Sequence, residues 1–138
     1  MNKIEGFFGK HRFLSNFHLE SVVYKGIKYP TNEHAYQAAK SLDPIVREEI
    51  SKIVSPRDAR RAGQKVKCRE DFDEIKISVM EEINRIKFQV PYLAKLLKET
   101  GDAYLEETNW WKDVFWGVCD GVGQNNLGKI LMKIRDEK

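Results

Sequence analysis

The 138-residue chain has only two cysteines, Cys68 and Cys119, far apart in sequence. That excludes a disulfide-stapled framework and points to reduced thiols in a cytoplasmic setting. No apolar run approaches the ~20 residues a membrane span needs, and residues 1–20 contain no signal-like apolar core. Low-complexity tracts, repeats and Pro-, Gly- or Ser-rich linkers are missing as well, so residues 1–138 read as one domain. Nor is there much charge of one sign: 24 basic against 21 acidic residues leave +3. This balance admits a phosphorylated ligand without arguing for a nucleic-acid surface. The three histidines, His11, His18 and His34, have no metal-ligand spacing among themselves or with either cysteine. No GxSxG elbow occurs, and neither cysteine has a histidine nearby to activate it. Neither a metal nor a cofactor is expected.

What is present is a globular balance, 41% hydrophobic and 33% charged, in a chain long enough to bury a core without a staple. The first thirty residues are β-like, with Leu19–Tyr24 meeting Ile27–Tyr29 across Lys25-Gly26 as a hairpin. Thr31 or Asn32 caps a helix running to about Leu42. Asp43-Pro44 and Ser55-Pro56 each supply an N-cap with proline at the first helical position, and Gly63 is expected to stop the second of these helices. Asp71 opens the longest helix, with Phe72, Ile75, Val79, Ile83 and Ile86 in register to about Phe88. Pro91 starts another that Thr100-Gly101 closes. Ala103–Glu107 and Val114–Val118 read as short strands, and a glycine loop, 121–125, leads into a last helix. The fold class is α+β, a single helix-rich domain with a small β-sheet built from both ends of the chain.

Three constellations can carry chemistry. On the helix after Thr31, Glu33, Tyr36, Gln37 and Lys40 share one stripe, while Ala35, Ala38, Ala39 and Leu42 lie opposite. The alanines permit close packing; the other stripe offers a carboxylate, a phenol, an amide and an amine, or is simply a solvated face. Glu33 in the first turn also complements the helix dipole. The second is Trp110 to Gly117, with three tryptophans and Phe115 around Asp113. That exceeds what one short strand buries, so a ring can stack on a flat ligand; core aromatics with Asp113 in a turn are the plain alternative. The third is the loop Gly121-Val122-Gly123-Gln124-Asn125, whose glycines and following helix amides suit phosphate, although it is not a dinucleotide fingerprint. The basic stretch Arg57 to Lys67 can touch phosphates, but a solvated helix face accounts for it more simply.

In this order the pieces resemble the NADAR family of YbiA-like proteins. Phe13-Leu14-Ser15-Asn16-Phe17 is similar to its LSNF opening, and Thr31 with Glu33-His34, Gln37 and Lys40 to its T-x-E-h-x-x-Q-x-x-K helix. Met80 and Lys87-Phe88 match its long helix. Asp113 with Trp116-Gly117, then Gly123, Asn125, Leu127-Gly128, Leu131-Met132 and Arg135, match its ending. The resemblance spans Phe7 to Arg135. Gln64, Phe72 and Asn126 depart from the family's usual Arg, Trp and Arg, which bears on how phosphate is recognised. The family resemblance implies an N-glycosidase acting on ribose–nitrogen bonds, in ribosylated pyrimidine intermediates of riboflavin synthesis or in ADP-ribosylated guanine of nucleic acid. It implies Glu33, Lys40 and Asp113 as catalytic candidates. Asn16, Phe17, Tyr36, Gln37, Trp116, Gly117, Gly123 and Asn125 are the binding candidates. The expected ligand is a small ribosyl phosphate or ADP-ribose. The alternative function is a non-catalytic module binding ADP-ribose or NAD in signalling or defence; Glu33, Lys40 and Asp113 together favour the enzyme, because binding alone does not need all three.

Overall fold

A computed structural model describes residues 2–138. The chain contacts gather in two compact units, one of residues 16–87 and one of residues 1–15 with 88–138.

The first unit opens with a hairpin, β2 (Val22–Tyr24) against β3 (Ile27–Tyr29), in antiparallel register Val22↔Tyr29. Its two turn residues, Lys25 (φ 51°) and Gly26 (φ 85°), both lie in left-handed space. That is the turn whose twist suits paired strands. Helix α1 (Asn32–Ala39) follows, capped by Thr31, whose hydroxyl accepts from the His34 amide at 3.2 Å. Asp43 caps α2 (Pro44–Ser51) and Ser55 caps α3 (Pro56–Gln64), each with proline in the first turn as the sequence predicts. Helix α4 (Phe72–Lys87) buries Phe72, Val79, Met80 and Ile83. Helices α2, α3 and α4 all pack on α1, which is therefore buried along all eight residues.

In the second unit, β1 (Lys3–Glu5) pairs in parallel with β4 (Tyr104–Glu106), the expected union of the two ends of the chain. A 3₁₀ helix (Gly9–Leu14) packs on α5 (Pro91–Glu99). β5 (Thr108–Asn109) pairs in parallel with β6 (Val118–Cys119). Helix α6 (Asn126–Asp136) lies on β4, burying Leu127, Ile130, Leu131 and Ile134. Leu93, Leu97, Leu105 and Leu131 are fully inside, each contributing roughly 1.5–3 kcal/mol of apolar burial.

The class is α+β, helix-rich with small sheets, as expected. Details differ. The strands form three separate pairs rather than one sheet. Residues 114–117 are irregular backbone and bends, not strand, because side chains of Asn109 and Asp113 take up their neighbours' backbone groups. The first helix ends at Ala39 with Lys40 as its C-cap, short of Leu42. Gly63 does not stop α3 but sits inside its last turn. Among the described residues, no helix is long and apolar enough to cross a membrane.

Candidate functional site

The polar stripe of α1 is not a solvated face. Glu33 is 9% exposed, Gln37 4% and Tyr36 7%, so these groups are buried polar atoms that require partners. Gln37 Nε2 donates to Glu33 Oε2 at 2.5 Å, one turn away. Tyr36 packs its ring on Phe72 with centroids 5.5 Å apart, and Lys40 Nζ stands 5.9 Å from the Tyr36 centroid. Burial pushes the Lys40 amine below the ordinary lysine value. Cys68 and Glu33 pull it upward, while Arg60 and Lys76 push it down further. Such an amine carries a larger neutral fraction near neutrality than a solvated lysine does. The stripe thus presents a carboxylate oriented by an amide and, two turns on, an amine inclined to lose its proton.

What holds this stripe in place is a polar network that local sequence patterns do not reveal. The Glu33 amide donates to Asn16 O at 3.1 Å. Asn16 gives its own Nδ2 to Met80 Sδ at 3.3 Å, and its Oδ1 accepts from Asn32 Nδ2 at 3.2 Å. Asn32 also reaches Asn84 Oδ1 at 2.9 Å, and Asn84 returns to Met80 O at 3.0 Å. Asn16, a binding candidate from the sequence, is here a buried bracket for the start of α1. Phe17 beside it is half-buried. His34 is locked too: Nε2 lies 2.8 Å from Ile53 O and Nδ1 2.7 Å from Thr31 Oγ1. A carbonyl only accepts, so Nε2 carries the proton and Nδ1 accepts from the threonine hydroxyl. Burial lowers the His34 pKa, with the Ile53 carbonyl opposing. This histidine serves the cap. Gly63 provides the last constraint. A Cβ there would stand 2.6 Å from Gln37 Cδ and 2.8 Å from Gln37 Cβ, and nearer still to its Oε1. Only glycine lets α3 close on the amide that orients Glu33.

The other unit carries the remaining candidates. Asp113 Oδ1 accepts the amides of Phe115 at 3.1 Å and Trp116 at 2.9 Å, while Asn109 bonds the Asp113 backbone on both sides. This geometry is that of a turn-forming aspartate presenting Trp116, which is half-buried and edge-on to Phe115 with centroids 4.8 Å apart. Trp110 and Trp111 are exposed, Trp110 leaning on Phe8 at 5.5 Å. A Cβ on Gly117 would stand 2.7 Å from Asn109 Nδ2, and one on Gly123 2.9 Å from Val118 Cα. Both glycines serve close packing of the loops.

Two groups expected to meet a ligand in this unit have partners within the fold. The first is the Asn125 side chain. It is 1% exposed, accepts from the Glu107 amide at 3.0 Å and donates to Leu105 O at 2.8 Å and Tyr104 Oη at 3.1 Å. Four amides of the loop and helix start are engaged as well. Gln124 donates to Val114 O, Asn125 to Gly117 O, Asn126 to Phe115 O and Leu127 to Trp116 O, at 2.8 to 3.2 Å. Two of the donors that the helix start leaves over, the Asn126 and Leu127 amides, are taken by the preceding turns. A cavity of about 530 Å³ in this unit is lined by Asn2, Ile4, Lys10, His11, Phe13, Leu96, Glu99, Thr100 and Ala103, none of them a site candidate. Among the described residues, no three His, Cys, Asp or Glu side chains gather as a metal site would need.

Three comparisons with known proteins bear on this geometry. The family model described as the NADAR domain matches residues 5–137. A "Riboflavin biosynthesis protein" of Vibrio vulnificus (strain YJ016) is 40% identical over 131 residues, covering 92% of this chain; the chain spans only 35% of that protein. "N-glycosidase YbiA" of Escherichia coli (strain K12) is 38% identical over 127 residues, 89% of this chain and 79% of that protein. The NMR structure of the E. coli protein YbiA shares the fold with a TM-score of 0.87 at 35% identity, covering 99% of this chain and 86% of that one.

Proposed function

The chain belongs to the NADAR family, and on that premise we propose that it is an N-glycosidase hydrolysing the bond between ribose C1 and nitrogen in a ribosylated or ADP-ribosylated base. The relatives named above as an N-glycosidase and as a riboflavin biosynthesis protein support this reading. The observation that carries it is the buried Glu33 carboxylate, held by Gln37 on one stripe with a partly desolvated Lys40. Breaking a C1–N bond sends its electron pair to the departing nitrogen and leaves positive charge on C1 and the ring oxygen. A buried carboxylate beside C1 stabilises that charge far better than a hydrated one. Glu33 can then take a proton from the water whose oxygen bonds C1, while a proton reaches the leaving nitrogen. Lys40 lies seven residues on, about 10 Å along the helix axis, close enough to line the same sugar site. In the other unit, Asp113 fixes the backbone of Trp116. The favoured substrate is a ribosylaminopyrimidine phosphate of riboflavin synthesis; ADP-ribosylated guanine is the other member of the class.

The test is mass spectrometry of products from ribosylaminopyrimidine phosphates, ADP-ribosylated guanine oligonucleotide, NAD and ADP-ribose, with the parent and Glu33→Gln. The substitution keeps shape and removes charge. A single positioned acid/base contributes about 10² to 10⁴ in rate, so the variant should lose at least that much while unfolding at the parent's temperature. Cleavage of none of the compounds by the parent, with ADP-ribose bound intact, points to a binding module instead. Turnover in Glu33→Gln within a few-fold of the parent removes Glu33 from the mechanism.

A further inference from the structure

Four amides at the glycine loop and the start of α6 are spent within the chain, and basic side chains gather on three other helices, α1, α3 and α4. Tyr36 of α1 stacks on Phe72 of α4, and one turn beyond each lie Lys40 and Lys76. Gln37 of α1 meets Gly63 of α3, and Arg60 stands one turn from that glycine on α3, as Lys40 stands one turn from Gln37 on α1. Both packings lead to the same end of α1. Arg60 and Lys76 lie near enough to Lys40 for their charges to oppose its protonation.

Lys40, Arg60 and Lys76 thus bring three basic side chains together. Lys76 pairs with Asp73 at 3.3 Å, an aspartate whose side chain is 92% exposed; exposed pairs of this kind are weak. The Arg60 side chain is half-buried and makes no hydrogen bond or ion pair among the described residues. Glu33 is engaged by Gln37, and the Cys68 thiol lies near Lys40 as well. We propose that Arg60 and Lys76, flanking Lys40 at the C-terminal end of α1, form the subsite for the phosphate of the ribosyl substrate. The guanidinium fork supplies directional contacts to two phosphate oxygens and the lysine a point charge. The substrate being a ribosyl compound rests on the N-glycosidase reading; the anion site does not. The shared ligand chemistry is a phosphate on ribose O5, which comes either as a terminal monophosphate or as the diphosphate of ADP-ribose.

Isothermal titration of the parent with ribose, ribose 5-phosphate and ADP-ribose tests this, alongside Arg60→Gln, Lys76→Gln and Glu33→Gln. Ribose 5-phosphate should bind at least tenfold tighter than ribose, weakening as salt rises. Arg60→Gln and Lys76→Gln should each weaken it about tenfold while Glu33→Gln retains it. A stronger effect of the two charge variants on ribose 5-phosphate than on ADP-ribose identifies the terminal monophosphate as source, and the reverse identifies the diphosphate. Equal affinity for ribose and ribose 5-phosphate, or charge variants matching the parent, overturns the subsite. Because Glu33→Gln abolishes cleavage but not phosphate binding, failure of the subsite is distinguishable from failure of the glycosidase reading.

Discussion

Gly63→Ala puts the packing of α3 on α1 to a test whose sign is decisive. In a free helix, alanine for glycine stabilises by about 1 kcal/mol, and less in a last turn. Here the new methyl meets Gln37 Cδ at 2.6 Å and Cβ at 2.8 Å, distances that no Cβ tolerates without movement. Gln37 is 4% exposed and cannot swing outward. Overpacking of this kind costs about 1–3 kcal/mol. Displacing the amide also weakens its bond to the Glu33 carboxylate, in the range of about 1.5–3 kcal/mol for a charged partner. The net expectation is a loss of about 1–3 kcal/mol. For a chain of this length that lowers the melting temperature by roughly 3–12 °C. Thermal and urea denaturation measure it directly. In a Gln37→Ala background the Oε1 and Cδ contacts vanish and only the Cβ contact remains, so the cost of Gly63→Ala should fall. Glycosidase activity should drop with the single variant, since Glu33 loses its orienting amide. A Gly63→Ala protein as stable as the parent, or more so, refutes the argument.

If Lys40 is neutral enough to attack C1, borohydride added during turnover should fix a ribosyl adduct on it, seen by intact mass; no adduct together with an active Lys40→Arg leaves it a binding cation. Asn125→Ala orphans the Glu107 amide and Leu105 carbonyl inside the fold, so urea denaturation should show a loss of about 2–4 kcal/mol; unchanged stability with a raised KM would return Asn125 to the ligand. Lys87 is 1% exposed, and burial pushes its amine down to about 7 against the pull of Glu20. Between pH 7 and the unfolded value of 10.5 the unfolded chain binds more protons, so stability should rise with pH across that window. Lys87→Met should be flatter from pH 7 to 9.5 by chemical denaturation, and an unchanged slope contradicts the burial of a neutral amine.

Signals confined to a few residues were legible. Asp43-Pro44 and Ser55-Pro56 start helices because an acceptor side chain followed by a ring with fixed φ acts locally, whatever packs nearby. Lys25-Gly26 makes its turn for an equally local reason. The run 114–118 misled because aromatic and β-branched residues promise a strand, while Asn109 and Asp113 bind the backbone first. The stripe of α1 was legible as a grouping but not as an environment. Periodicity places Glu33, Gln37 and Lys40 on one side of a helix, and only tertiary partners distant in sequence, Asn16, Gly63 and Phe72, decide that this side is enclosed.

The same distinction bears on phosphate. A glycine loop before a helix suggests an anion cradle because its amides are unpaired in isolation. Here four consecutive amides, Gln124 to Leu127, are spent on the carbonyls of Val114 to Gly117, a use that no spacing of glycines discloses. The departures at Gln64 and Asn126 then take on different weights. Asn126 is tied down, its Nδ2 donating to Phe115 O at 2.9 Å, so an arginine there would have to forgo that bond. Gln64 is exposed at the end of α3, the helix whose preceding turn carries Arg60. A cation absent at position 64 but present one turn earlier keeps positive charge on the same helix. Removing the Arg60 charge should therefore weaken phosphate binding more than restoring an arginine at position 64 strengthens it, and titration of Arg60→Gln and Gln64→Arg with ribose 5-phosphate compares the two.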